Sequence, residues 1–308
     1  MTEECKMQTA TRRNGRPRPL RAFLFCILHF AFCISLSAQT APPLTAPSPY
    51  APTPPLPLGD VLLTLPTSHE PSAGTWEVKF THRFNQSLDE GSLSDRVHSL
   101  FGLDSNADVA IGLSWVPVRD LQLSFVRSNV LDDIELGAKY LVVQQAPAIP
   151  LSLALRGGAD VRTEKGLDQR TSFFAQAIAS RRFGRLELFA IPTLVTDAGR
   201  AVSAQTSTAL FDHAFNIPLG AAVLVTPALS IVGELTPKNR DLPSGMKADF
   251  GWAFGFKRAI GGHFFELLLT NSNATHADQY VTSSYQGAPL RRGDLHLGFN
   301  IERRFGGR

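Results

Sequence analysis

The chain has little cysteine: three residues in 308, at positions 5, 26 and 33. Everything after Cys33 is free of thiol, so that part holds no disulfide, no thiolate nucleophile and no cysteine-ligated metal. A long hydrophobic run is also missing. The longest, "AFLFCILHFAFCISL", falls short of the roughly 20 residues that a membrane-spanning helix needs. No segment sustains the 3.6-residue period of a long amphipathic helix. The best helical stretch is "SLSDRVHSLF" at 92–101, where Ser92 and Asp95 suit a short capped helix within a loop.

Catalytic signatures are equally sparse. There is no G-x-S-x-G elbow. His263, His276 and His296 lack a metal-ligand spacing such as H-x-x-x-H. The most suggestive local cluster is His82 with Ser87 in "THRFNQS", and His82 falls on the same strand face as Trp76 and Phe80. These residues nominate no catalytic, cofactor-binding or metal-binding group.

A surplus of charge is absent once the N-terminus is considered separately. Lys6, Arg12, Arg13, Arg16, Arg18 and Arg21 precede the apolar run, and "SAQT" follows it. Basic n-region, apolar h-region and small-residue exit are the parts of a secretory signal peptide, with cleavage expected near Ala38. Removing residues 1–38 takes away six of the 30 Lys and Arg and two of the 27 Asp and Glu, leaving 24 against 25 and a net charge of −1. The overall +3 therefore belongs to the leader, and no nucleic-acid footprint remains.

Residues 39–73 include "APPLTAPSPYAPTPPLPLG" and read as a Pro-rich periplasmic linker. From residue 74 the character changes to alternating segments separated by turn signals. Twelve are legible, beginning at 75–84, 107–118, 121–128, 134–144, 150–162 and 171–183. The remaining six fall at 186–196, 215–225, 229–237, 249–259, 263–270 and 294–305. Most reach the 9–11 residues that cross a bilayer as a tilted strand. Their connections alternate between short turns and, with one exception at 129–133, long loops. That pattern predicts an all-β fold: a transmembrane antiparallel up-and-down β-barrel of about 12 strands over 74–308.

Alternation also assigns faces. Phe250, Trp252, Phe254 and Phe256 oppose Gly251, Ala253, Gly255 and Lys257, and Leu295, Leu297, Phe299 and Ile301 form the apolar face of the last strand. The apolar faces suit lipid; the others suit a polar lumen. Glu77, Lys79, Arg83, Glu135, Lys139, Arg156, Asp160, Arg162, Glu187, Glu234, Lys257, Glu302 and Arg304 are then expected to line that lumen. Trp76, Trp115, Tyr140, Trp252 and Phe305 are expected at the interfaces. Because lipid offers no hydrogen-bond partners, the last strand must pair with the first.

Three sets of residues carry a family likeness: "FTHRF" with "LFGLDSNADVAIGLSW", "LGAKYLVVQQ" with "IPLSLAL", and "LLLTNSNATHADQY" with "FNIERRF". Over 76–305 the chain resembles an uncharacterised bacterial family of membrane-bound β-barrel domains of unknown function. The resemblance implies an outer-membrane barrel and brings no substrate or catalytic residue with it. The expected location is the outer membrane of a Gram-negative-type bacterium, with outer-membrane lipid, the barrel-assembly machinery and a small solute as partners and no cofactor. Phe305 fits the terminal aromatic such machinery reads, although Gly306, Gly307 and Arg308 follow it. A narrow pore or a structural envelope element is the expected role; a lipid-acting barrel enzyme and a soluble periplasmic binding protein are the rival readings.

Overall fold

A computed structural model describes residues 48–130, 132–163, 170–198, 211–239, 248–285 and 295–307. The expected signal peptide, its cleavage point and the start of the Pro-rich stretch lie outside the described residues.

Twelve strands form one closed antiparallel barrel. They are β1 (Trp76–Phe84), β2 (Ala107–Val118), β3 (Leu121–Ser128), β4 (Asp133–Val143), β5 (Ser152–Arg162) and β6 (Arg170–Phe183). β7 runs Leu186–Ala190 and resumes as Thr193–Ala198, and β8 runs Phe211–Asn216 and resumes as Leu219–Thr226. β9 (Leu229–Thr236), β10 (Gly251–Ile260), β11 (His263–Thr270) and β12 (His296–Phe305) complete the ring. The two interruptions fall at Ile191-Pro192 and Ile217-Pro218. Proline has no N–H to give to a ladder, so the strands jog where it sits.

Every neighbour in sequence is a neighbour in the sheet, and the seam joins β1 to β12 with Trp76 opposite Phe305 and Arg83 opposite Gly298. The ring itself has no edge strand, which removes the unpaired N–H and C=O groups that an open sheet would present. One end of the barrel carries tight turns: Arg119-Asp120, Gly184-Arg185, Pro227-Ala228 and Gly261-Gly262. The last needs two consecutive positive φ values, 54° and 83°, which glycine adopts without strain. The opposite end carries the long connections. One holds α1 (Leu93–His98), capped as the sequence suggests by Ser92 and Asp95 bonding each other's backbone N–H.

The two faces separate by chemistry. Ile111, Leu113, Phe125, Leu136, Phe173, Phe254, Phe256, Leu267 and Ile301 are exposed on the outside. Trp76 stacks on Trp115 at the tight-turn end, with ring centroids 5.1 Å apart. Inward positions from the same strands are buried, and they pack on chain segments that fill the barrel.

Candidate functional site: a filled lumen

The interior holds two segments, one from each end. The first corrects an expectation: much of the stretch read as a linker is inside the barrel. From Ser48 the chain runs along the tight-turn rim, where Thr53 N–H donates to Gln145 O (2.6 Å) and Ala148 N–H donates to Pro49 O (2.9 Å). It then turns inward as a hairpin, bridged at Val61–Pro66, with Leu62 N–H donating to Leu65 O at 2.8 Å and Thr67 N–H to Asp60 O at 2.9 Å. Leu56, Leu58, Leu62, Leu63 and Leu65 are buried. Proline content suggested a spacer; the "VLLTL" that follows it supplies the apolar area that drives entry.

The barrel wall is built to receive this hairpin. On β9, Glu234 Oε1 accepts the backbone N–H of Leu63 (2.8 Å), Thr64 (2.8 Å) and Leu65 (2.9 Å). Three successive amides converging on one carboxylate form an anion-binding nest. In register, Glu234 lies between Gly220 of β8 and Ala253 of β10, so small neighbours leave room for the tip. A Cβ on Gly220 would stand 2.2 Å from Leu62 Cδ1; the missing side chain is the notch in which Leu62 sits.

From the other side, Arg83 donates to Leu63 O (3.2 Å) and to Asn300 Oδ1 (2.8 Å), while Asn300 donates to Leu63 O (2.7 Å). Lys257 donates to Val61 O at 2.7 Å and pairs with Glu266 at 2.5 Å and Glu302 at 3.6 Å. Lys139 Nζ lies 2.7 Å from Asp60 Oδ1 and 2.8 Å from His69 O. Glu187 meets His69 Nε2 (2.8 Å), Ser180 Oγ (3.1 Å) and the N–H of Leu56 (3.2 Å). Burial would raise the Asp60 carboxyl, but the charge and hydrogen bond of Lys139 outweigh it and hold it well below the usual carboxylate range. At Glu70 burial wins: despite Lys139 at 3.9 Å, its carboxyl is pushed up to about 7.

The second segment enters from the long-loop end. Its short helix α2 (Ala277–Tyr280) is wholly buried. Asp278 pairs with Arg162, Ala277 N–H donates to Glu135 Oε2 (3.0 Å), Gln176 donates to the Tyr280 hydroxyl (2.6 Å), and Gln279 donates to Asp133 (3.1 Å). Arg156 binds both Glu135 and Gln176, the latter at 2.8 Å.

The thirteen residues assigned to the lumen by alternation are placed as follows. Glu77, Arg83, Glu135, Lys139, Asp160, Arg162, Glu187, Glu234, Lys257 and Glu302 are buried. Lys79, Arg156 and Arg304 are half-buried, with Arg304 bonded to Glu77 and Lys79 beside Gly112. Most contact the two inserted segments or one another, whereas the buried Asp160 carboxylate makes no hydrogen bond. Sequence reasoning missed Glu266, whose place between Phe265 and Leu267 was a readable signal. It also missed Asp60 and Glu70, which lie in the supposed linker.

The lumen wall is itself two-sided. Charged side chains concentrate on β12 and β1–β5. The inward positions of β6–β11 carry fewer charges, Glu187, Glu234, Lys257 and Glu266, and among them Ile178, Phe189, Val195, Val232 and Leu268 join the hairpin leucines in one apolar cluster.

His82 faces outward, stacked on Phe299 at 4.9 Å between centroids and against Phe84 at 4.4 Å. Ser87 is engaged with Asp89 and with the N–H and C=O of Leu295, so the two do not form a nucleophile–base pair. His276 is buried in the long-loop segment, His296 lies inside beneath Phe84 O, and His263 points outward to Arg303. Among the described residues no group of His, Cys, Asp and Glu has metal-binding geometry.

No curated protein matches this sequence. Among solved structures, the chain is similar to an outer membrane channel from Pseudomonas putida F1, at 12% identity and a TM-score of 0.47, covering 77% of this chain and 97% of that one. It is similar to the Acinetobacter baumannii outer membrane protein Omp33 at 10% identity and TM-score 0.37, covering 77% and 100%. A third is outer membrane phospholipase A from Escherichia coli, at 9% identity and TM-score 0.38, covering 76% and 90%. The family model for the membrane bound beta barrel domain (DUF5777) matches residues 59–305, a span that takes in the lumenal hairpin as well as all twelve strands. The chain belongs to that family of membrane-bound β-barrels.

Proposed function

We propose that this chain is a non-enzymatic outer-membrane channel of narrow bore, held shut by its own N-terminal hairpin. In this reading the chain is exported on a cleaved signal peptide, and the tight-turn end, where the hairpin enters, faces the periplasm. The observation that carries it is the nest of three amides on Glu234. A purely structural barrel needs only a filled interior, whereas the hairpin, one of the two segments that fill this one, has the backbone of its tip held by polar side chains of the wall. Such contacts exchange readily with water, because a hydrogen bond nets only about 1 kcal/mol against its solvated alternative. The arrangement of His82 and Ser87 gives no support to a lipid-acting enzyme.

Single-channel recording in planar bilayers tests the proposal. The full chain should open rarely, and Glu234→Gln, which removes the charge from the nest, should raise open probability by about tenfold or more for a loss near 1.4 kcal/mol. Heat-modifiable gel mobility verifies that each protein is folded. A folded, inserted protein that never conducts, with the variant equally silent, would defeat the channel and leave a structural envelope element.

A further inference from the structure

The hairpin occupies its slot in a manner that describes a second occupant. Its leucines lie in an apolar patch of the wall, in one cluster with Ile178, Val232 and Leu268. Of the two acidic side chains on this segment, Asp60 sets a carboxylate oxygen 2.7 Å from Lys139 Nζ and Glu70 lies farther off at 3.9 Å. Among the described residues, the groups that meet this ammonium all come from the N-terminal segment: Asp60, the carbonyls of Thr67 (3.3 Å) and His69 (2.8 Å), and Glu70. Lys139 is 3% exposed. Withdrawal of the hairpin would leave a buried cation without its carboxylate, between Gln122 and Arg156 of the neighbouring strands. Lys257, by contrast, keeps Glu266 and Glu302 whatever the hairpin does.

Resting on the channel reading, we propose that the solute is an amphipathic carboxylate, an aliphatic body bearing one anionic head, for which the hairpin is a built-in mimic. The head takes the position of the Asp60 carboxylate on Lys139, and the body takes the position of the leucines. A buried, desolvated ammonium favours an anion and rejects a cation. The apolar wall rejects a head without a body, since each buried CH₂ contributes about 0.8 kcal/mol.

The test is calorimetric titration of octanoate into the full chain in phosphatidylcholine nanodiscs, with empty discs as the blank. Saturable binding is expected for octanoate and none for octylamine or acetate. Lys139→Met should weaken binding about tenfold, as loss of a buried charge partner does, and Lys139→Arg should stay within about threefold. Asp60→Asn, which removes the competing carboxylate and leaves the barrel untouched, should tighten binding at least about threefold. If Lys139→Met fails to fold, the Asp60→Asn and Lys139→Arg results decide. Equal binding of octanoate and octylamine, or indifference to the folded variants, would overturn the inference. A Glu234→Gln protein that conducts while octanoate fails to bind removes the solute alone; octanoate binding without any conductance removes the channel and keeps the site.

Discussion

Lys139 and Asp60, 79 positions apart in the chain, meet at 2.7 Å inside the barrel. One belongs to a strand whose charge alternation announces an inward face. The other belongs to a segment whose prolines announce a spacer. Their contact fixes the hairpin at its base as Glu234 fixes it at its tip, and the consequences can be measured.

The notch at Gly220 is the least forgiving point of the slot. Gly220→Val would drive a methyl-bearing carbon into Leu62, so the tip must leave or the wall must shift. The barrel should still fold and show heat-modifiable mobility, while proteolysis between residues 50 and 70 becomes at least about tenfold faster, matching a docking loss of 1–3 kcal/mol for overpacking. Unchanged protection would mean that the tip finds another seat.

Seating of the hairpin should depend on pH in a defined direction. Burial raises Glu70 from 4.5 to about 7, so its contribution is full below its solvent value and is lost as pH rises through 7. Asp60 is depressed by Lys139, so its contribution is present above 3.8 and is lost at lower pH. Between these limits the hairpin is held best. Open probability should rise from about pH 4.5 to about pH 7.5 and level off above it, and Glu70→Gln should flatten that rise. A rise of the same size in Glu70→Gln would assign it elsewhere.

Removing Lys257 strands two acids. Glu266 and Glu302 have side chains with no solvent exposure and share its ammonium. Lys257→Met should cost about 3–5 kcal/mol in denaturant unfolding from lipid vesicles, as breaking a buried pair typically does. Adding Glu266→Gln should recover part of it. A loss no larger in the single variant than in the double would show that the acids tolerate isolation.

The outer wall should punish charge by depth. Phe256 is exposed on the outside at the middle of β10, which assigns it to the middle of the membrane, and Phe256→Arg should destabilise the inserted barrel by about 2–4 kcal/mol. The same substitution at Phe305, on the tight-turn rim, should cost about 1 kcal/mol or less. Equal penalties at both positions would contradict the assigned membrane depth.

The barrel was legible because period-two alternation is a local property. Phe254 and Phe256 against Ala253, Gly255 and Lys257 specify two faces without reference to any other strand. All twelve strands follow from that rule together with turn chemistry, and Pro192 and Pro218 interrupt two of them without changing their number. The lumenal hairpin was not legible, because its hold on the barrel is non-local. "VLLTL" contains too few residues to show a period, and its partners Glu234 and Arg83 are reached only through the closed ring. Charged inward residues signalled an interior in need of partners; which segment supplies them depends on shape, as the Gly220 notch illustrates.

The pairing of β1 with β12 carries a consequence for biogenesis. The hairpin is tethered directly ahead of β1, and β1 cannot complete its ladder until the last strand arrives. The ring therefore shuts at the place where the plug is attached, and the last strand supplies both the closing ladder and part of the plug's seat. Closure and seating thus draw on the same strand: a chain cut short before His296 would present an unsatisfied edge to lipid and would leave Leu63 without the Asn300 contact that helps to hold it in.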